Sequence, residues 1–337
     1  MSGTSSLVAI AFILVSLRPV AAQDAKLVEA ARKEGGKAVV YGSIENDTMD
    51  LLSAAFKKKT GLDVEFWRSS ATKVMDRVIS ESRAGKPLYD VVLTNSAPMD
   101  FMYNEGALTK YDSPSGRAFP KEVMHPHLGP QYRNSIIGIV YHSGIIKPAD
   151  APKSLEDLLK PQYRGKLVMP DASQHTTTAQ WLASLHRVMG GPEKADKFIR
   201  DLAATKPLLV ESLTPAGERI TTGETPIGIA FIKNVVFYGK KGVPLDYVRL
   251  GKFMGDGQAV ALGAKAPHGH AGRAFIDFFL GEDGLKIMAS IGEFVTRKGI
   301  YPPLPDADKI ELVEMVDMDK KAYAEKMAEY RKIFLQK

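Results

Sequence analysis

Val64-Glu65-Phe66-Trp67-Arg68-Ser69-Ser70-Ala71-Thr72, followed by Lys73-Val74-Met75-Asp76-Arg77-Val78-Ile79, is the stretch on which the fold turns. It reads as a short strand that passes through an arginine and two serines into a helix. Val74 and Val78, with Met75 and Ile79 beside them, recur at the step of an amphipathic helix. Ser69 or Ser70 supplies the N-cap, its hydroxyl satisfying an orphan amide of the first turn. Those amides and the helix dipole make such a turn an anion site, and Arg68 adds a forked cation. The same residues also suit a plain capped helix with Arg68 in solvent, and this stretch alone leaves both readings open.

Working outward, the same alternation appears on both sides. Asp24 to Glu34 reads as a helix ended by Gly35-Gly36, since glycine closes helices readily. Lys37 to Ser43 is a buried strand, Thr48 to Thr60 a helix closed by Gly61, Leu62 to Trp67 a strand, and Tyr89 to Ser96 a further strand with a polar end. Strands alternating with helices imply a parallel, doubly wound sheet. Ligands in such sheets bind beyond the carboxyl ends of the strands. The candidate residues there are Tyr41, Ser43, Arg68, Ser69, Ser70 and Asn95.

A second set follows an irregular stretch, Gly106 to Leu128, and the apolar strand Asn134 to Tyr141. Lys166 to Asp171 is a strand, Ala172 to Thr178 a hydroxyl-rich turn and Ala179 to Met189 a helix. Pro207 to Val210 and Pro226 to Phe231 are strands flanking a short helix, Ala216 to Gly223. This strand–turn–helix mirrors the Arg68 region and adds Ser173, Thr176 and Thr177 to the candidates. The strand Gln258 to Gly263 comes next, then helices over Ala271 to Leu280 and Leu285 to Ile291. A long C-terminal helix reaches about Phe334, and the apolar stripe Leu312, Met315, Val316, Tyr323, Met327, Tyr330, Phe334 reads as a face packed on the body.

The chain has 337 residues, 45% hydrophobic and 25% charged, which suits a soluble protein of about two domains. Leu7 to Leu17 is an apolar run too short to span a membrane, and Val20-Ala21-Ala22 offers small residues for cleavage. Together they read as a secretory signal cut after Ala22, although no Lys or Arg precedes the run. The mature chain would hold 44 basic against 39 acidic residues, a net charge of +5. That excess mildly favours anions, and no Lys/Arg block marks a nucleic-acid arm. Zero cysteines exclude a disulfide framework, a thiolate nucleophile and a thiolate-bound metal. No nucleophile elbow, phosphate loop, dinucleotide fingerprint or zinc-helix motif is present. The histidine pairs His125/His127 and His268/His270 are each half a metal site, with no acidic partner at ligand spacing.

The phrases VYGSIENDTMDLLSAAFKKKTGLDVEFWRSSATKVMDRV, GERITTGETPIGIAF and QAVALGAKAPHGHAGRAFIDFFLGEDGLKIMASIGEF resemble periplasmic solute-binding proteins that serve ABC transporters, in their ferric-binding-like branch. The resemblance runs over nearly the whole mature chain. It implies an α/β fold of two lobes, each a doubly wound, mostly parallel sheet flanked by helices, joined by crossing hinge strands. A cleft between the lobes would close on its guest by hinge motion. The corresponding division is signal peptide 1–22, lobe one 23–134, lobe two 135–257, and 258–337 as the return to lobe one with the C-terminal helix.

On this basis the chain is expected to be a monomeric, non-enzymatic periplasmic receptor for a small anionic solute, a carboxylate, phosphate or phosphonate. It would feed an inner-membrane ABC permease and bind no nucleic acid. Arg68 would anchor the charge. Ser43, Ser69, Ser70 and Asn95 would donate from lobe one, and Ser173, Thr176 and Thr177 from lobe two. Tyr41 and Tyr141 would shape the walls, with Asn234 at the rear. No cofactor is expected, and ferric iron is the alternative cargo. Iron-binding relatives carry adjacent tyrosines after the asparagine, whereas here Asn234 precedes Val235-Val236-Phe237-Tyr238. Valine and phenylalanine cannot ligate a hard cation, so an iron site would have to draw on Tyr41, Glu45, Tyr141, Asp171 and Tyr238. A secreted hydrolase or lyase on the same frame is the remaining alternative.

Overall fold

Helix α1 (Pro19–Lys33) leads into β1 (Lys37–Gly42), α2 (Asn46–Thr60), β2 (Asp63–Arg68), α3 (Ala71–Arg83), β3 (Val91–Asn95), α4 (Ser96–Asn104) and the short β4 (Leu108–Thr109). The computed structural model describes residues 19–316 and 318–335; the apolar run Leu7 to Leu17, read as an export signal, lies outside them. Strand β1 runs parallel to both β2 and β3. Strand alternation sends side chains to opposite faces. Ala38, Val40 and Leu93 pack with Phe56 of α2 on one face, and Val39, Tyr41 and Val92 pack with Val74, Val78 and Met99 of α3 and α4 on the other.

The chain leaves this lobe on one long strand, β5 (Gln131–His142). Lobe two then holds β6 (Leu167–Pro170), α5 (Thr176–Ser184), α6 (His186–Met189), α7 (Pro192–Ala204), β7 (Leu208–Val210), α8 (Leu213–Thr222), β8 (Ile227–Phe231), α9 (Asn234–Gly239) and β9 (Leu245–Tyr247). Strand β6 is parallel to β7 and β8, and β8 is antiparallel to β5. The chain returns on β10 (Lys252–Gly263), antiparallel to β5 through Met254–Ala259 and to β3 through Gln258–Leu262. The strand order β2-β1-β3-β10-β5-β8-β6-β7 therefore fuses both lobes through β5 and β10. Lobe one is completed by α10 (Gly269–Phe279) and α11 (Glu282–Ser290), whose Phe275, Phe279 and Met288 join the α2 core. Strands β11 (Phe294–Val295) and β12 (Glu311–Glu314) and helix α12 (Lys320–Leu335) end the chain.

Three features differ from the expected elements. The helix expected over Ala179 to Met189 is divided at Leu185. The Ser184 hydroxyl donates back to Gln180 O at 2.7 Å and accepts from Val316 N at 2.9 Å, a back-bond that bends helices. Helix α7 is additional to the expected elements, and Ala195, Phe198, Ile199 and Leu202 bury one face of it at helical spacing. The C-terminal stripe is not one helix face. Leu312 lies in β12, 42% exposed, while Met315 and Tyr330 enter the core of lobe two, where α12 packs on α5 and α7.

Gly228 shows how tightly the lobe-two sheet is built. A Cβ there would stand 2.4 Å from Val168 O and 2.5 Å from Val168 Cγ1 on the adjacent strand. The contact is with backbone, so no rotamer relieves it. Gly228→Ala is expected to destabilise the protein by about 1–3 kcal/mol, read as a lower midpoint in urea. An unchanged midpoint would show that β6 and β8 are free to move apart.

Candidate functional site

In lobe one, β1 continues into α2 on one face of the sheet, while β3 continues into α4 on the other. The crevice between those two connections is the topological switch point, where open α/β sheets bind ligands. Ser43, Glu45, Asn95 and Ser96 surround it. In lobe two, β6 continues into α5 on one face, and β8 into α9 on the other. Asp171 to Thr177 and Lys233-Asn234 border that second crevice. The two crevices face each other. Lys233 Nζ of lobe two lies 2.5 Å from Glu45 Oε1 of lobe one, across the cleft.

This ion pair belongs to a four-membered network on the cleft floor. Lys233 also meets Glu293 at 3.0 Å, and Arg133 of β5 pairs with Glu293 and lies 3.5 Å from Glu45. The side chains of Arg133 and Glu293 are each only 2% exposed. Arg133 donates through Nε and Nη2 to Gln258 Oε1 of β10, at 2.9 and 2.7 Å. The guanidinium therefore links the two crossing strands. Two cations balance two acids within this network. Burial raises the Glu45 carboxyl, but Lys233 and then Arg133 more than reverse this and hold it far below the usual carboxylate range.

Asn95 meets the floor by donating to Asp256 of β10. Burial pushes the Asp256 carboxyl up to about 6, against the lowering effect of the Asn95 hydrogen bond and Arg133. Ser96 donates to Gly257 O at 3.3 Å and accepts from Gln131 Nε2 at 3.0 Å. The β3–α4 connection is thereby fastened to both crossing strands.

The remaining expected residues divide into three groups. Ser43 sits at the crevice, its hydroxyl 3.0 Å from Thr94 Oγ1. Arg68 ends β2, one strand further out, and Ser69 follows it. Arg68 is exposed, and its side chain has no hydrogen-bond or ion-pair partner among the described residues. Ser70 is the N-cap of α3 and accepts from Lys73 N at 3.4 Å. In lobe two, Thr176 is exposed and Thr177 partly buried at the start of α5. Ser173 and Asn234 are buried, and their Oγ and Nδ2 atoms have no hydrogen-bond partner among the described residues. Asn234 is turned toward α8, where a Cβ on Gly217 would fall 2.1 Å from its amide nitrogen.

Tyr41 and Tyr141, expected as cleft walls, lie instead in separate cores. Tyr41 is 2% exposed, donates to Glu81 at 3.1 Å and stacks near Trp67 and Arg77. Tyr141 is 3% exposed and donates to Asp246 at 3.0 Å. Each ends an apolar strand, but strand alternation turns it inward rather than toward the gap. Burial first and the neighbouring carboxylate second push both phenols up to about 12. Tyr238 packs edge-on against Phe237, and burial raises it too. The Asp171 carboxylate closes its own turn by accepting from Ser173 N and Gln174 Nε2, each at 2.8 Å.

Arg133, Lys233, Asp256, Gln258 and Glu293 are not among the site residues expected from the sequence, and Glu45 is expected there only as an iron ligand. The available signal was a charged residue set at the end of an apolar strand, as in Tyr132-Arg133-Asn134 and Phe231-Ile232-Lys233. His175 caps α5, and burial lowers it to about 4, so its ring stays neutral near pH 7. His268 and His270 bind Asp90 and Glu34 respectively as structural partners. Among the described residues no group of three or more His, Cys, Asp or Glu is placed to hold a metal ion. A cavity of about 640 Å³ lies on lobe one against Leu27, Val28, Ala274 and Phe278; none of its lining residues belongs to the floor network.

Two α/β lobes joined by two crossing strands, with facing switch points, define the periplasmic-binding-protein architecture. Residues 38–292 match the family described as bacterial extracellular solute-binding protein, and the chain belongs to that family. It is 24% identical over 326 residues to the Fe(3+)-binding periplasmic protein of Serratia marcescens, covering 90% of this chain and 91% of that one. Among solved structures it is similar to iron-bound HitA from Pseudomonas aeruginosa, with a TM-score of 0.67, 19% identity, and 89% of this chain and 99% of that one covered. It is equally similar to the periplasmic binding protein AfuA from Actinobacillus pleuropneumoniae with fructose-6-phosphate bound, with a TM-score of 0.67, 19% identity, and 89% and 96% covered. The family implies a small-molecule ligand and a membrane ABC permease as partner. No helix among the described residues is long and apolar enough to cross a membrane.

Proposed function

We propose that the protein is a non-enzymatic periplasmic receptor that captures a small anionic solute between its lobes and delivers it to an ABC permease. The reading rests above all on the ion pair between Glu45 and Lys233 at 2.5 Å, which brings the switch points of the two lobes to one place and sets a lobe-two cation there. Arg68, exposed at the end of β2, is a second cation on the lobe-one rim. The unpartnered Ser173 hydroxyl is a donor at the lobe-two turn, and buried polar atoms ordinarily find a partner. Export follows from the apolar Leu7 to Leu17 run and the small residues up to Ala22, and the protein acts as a monomer.

Native mass spectrometry of protein purified from its source identifies the retained solute, and calorimetry with that solute then tests Arg68→Ala. Loss of one charge-assisted contact is worth about 1.5–3 kcal/mol, roughly a tenfold to hundredfold weaker affinity. Unaltered affinity removes Arg68 as an anchor.

Ferric iron is the second reading, favoured by the two iron-binding relatives. Against it stand Val235 and Val236 after Asn234, and two buried phenols raised to about 12 that sit in different cores. A visible phenolate-to-iron absorption on adding ferric citrate, lost in Tyr238→Phe, would support iron. A colourless protein would weigh against it.

A further inference from the structure

We infer that Glu45 is a tethered stand-in for the ligand's anionic group: it latches the lobes through Lys233 when the cleft is empty, and an incoming carboxylate or phosphate displaces it from Lys233. The incoming group's chemistry rests on the anionic-solute reading above; the latch rests on geometry alone.

Glu45 occupies the N-cap position of α2, yet its side chain makes no cap hydrogen bond there. It reaches across the cleft instead, to Lys233 at 2.5 Å and toward Arg133 at 3.5 Å. Two acids meet Lys233, and only one of them can leave. The Glu293 side chain is 2% exposed and also held by Arg133, whereas the Glu45 side chain is 43% exposed and can swing into solvent without unpacking a core. The Lys233 ammonium is the exchangeable cation, since the Arg133 guanidinium is enclosed and engaged by Gln258 and Glu293. With Glu45 withdrawn, Lys233 keeps only Glu293, which it shares with Arg133, and one of its two carboxylate positions is open to an oxyanion.

A carboxylate tethered nearby competes at an effective concentration in the millimolar range. A site held by its own chain nine times in ten binds an outside ligand about tenfold more weakly than its intrinsic affinity. Glu45 is therefore a specificity determinant. Neutral solutes gain nothing from Lys233 and cannot displace it, while anions that match the lysine can.

The test uses the mature chain as wild type, Glu45→Gln and Lys233→Met. Without ligand, small-angle scattering and hydrogen exchange over 45–50 and 231–236 are expected to show a more open molecule with faster exchange in both variants. Unchanged scattering and exchange in Glu45→Gln overturn the latch. Calorimetry at constant ionic strength with sodium phosphate and with sodium citrate then follows. Glu45→Gln is expected to bind at least one anion about tenfold more tightly than wild type, and Lys233→Met to lose that gain. Weaker binding by Glu45→Gln would make Glu45 a direct ligand contact and overturn displacement. Absence of heat with both anions in every variant overturns displacement together with the anionic-solute reading, whereas an opening response still supports the latch. Should Lys233→Met fail to fold, the Glu45→Gln arms decide alone.

Discussion

Arg133→Met is expected to lower the unfolding free energy by about 3–5 kcal/mol, the range for removing one partner of a buried ion pair. The reason lies with Glu293. Its side chain is 2% exposed and its carboxylate is shared between Arg133 and Lys233. Without the guanidinium, Lys233 alone must serve both Glu293 and Glu45. Gln258 Oε1 also loses both guanidinium donors and, among the described residues, keeps only the Tyr132 hydroxyl at 3.1 Å. The double variant Arg133→Met/Glu293→Met separates charge from shape, because replacing a whole buried pair by apolar groups is often neutral or stabilising. Urea unfolding of the two variants checks this. A single variant within about 1 kcal/mol of wild type would show that water reaches Glu293 and that the floor is not a low-dielectric site.

That network also marks the boundary of what the residues reveal in linear order. Lys37 to Gly42, Leu167 to Pro170 and Ile227 to Phe231 are readable as strands because buried parallel strands are nearly continuous apolar runs. Ser70 is readable as a cap, and its bond to Lys73 N bears this out. The long pairing of β5 with β10 explains why the expected return strand, Gln258 to Gly263, begins six residues earlier. Its first half, Lys252 to Gly257, is interrupted by Gly255 and Gly257 and lacks an apolar run.

Positions 45, 133, 233 and 293 are far apart in sequence, and the joining of the lobes through β5 and β10 brings each cation within 3.5 Å of both acids. Tyr41 and Tyr141 show the converse. They stand at strand ends, where a cleft wall is plausible, and the phase of alternation relative to a neighbouring helix decides that they face inward. That phase is set by which face the following helix takes, which no single strand announces.

Asp256→Asn is expected to stabilise the protein at pH 7.5 and to leave it nearly unchanged at pH 3.5. Asp256 lies on β10 between Gly255 and Gly257, opposite Ser135 of β5, and accepts from Asn95. Its folded carboxyl titrates at about 6, against about 3.9 in an unfolded chain. Between those values the folded state holds a proton that the unfolded state has released, so stability falls as pH rises from about 4 to about 6 and is level above. Two units amount to roughly 3 kcal/mol. Asparagine removes the charge and still offers Asn95 an acceptor oxygen. Glu45 acts in a separate window: its folded pKa is depressed, so its contribution is present above about 4.5 and lost as pH falls further. Urea midpoints of wild type and Asp256→Asn at pH 3.5, 5 and 7.5 isolate the Asp256 share, because Glu45 is common to both proteins. A difference that stays constant across the three pH values would mean that Asp256 is ionised at an ordinary pKa in the folded protein. The hinge floor would then be open to water where β5 and β10 cross.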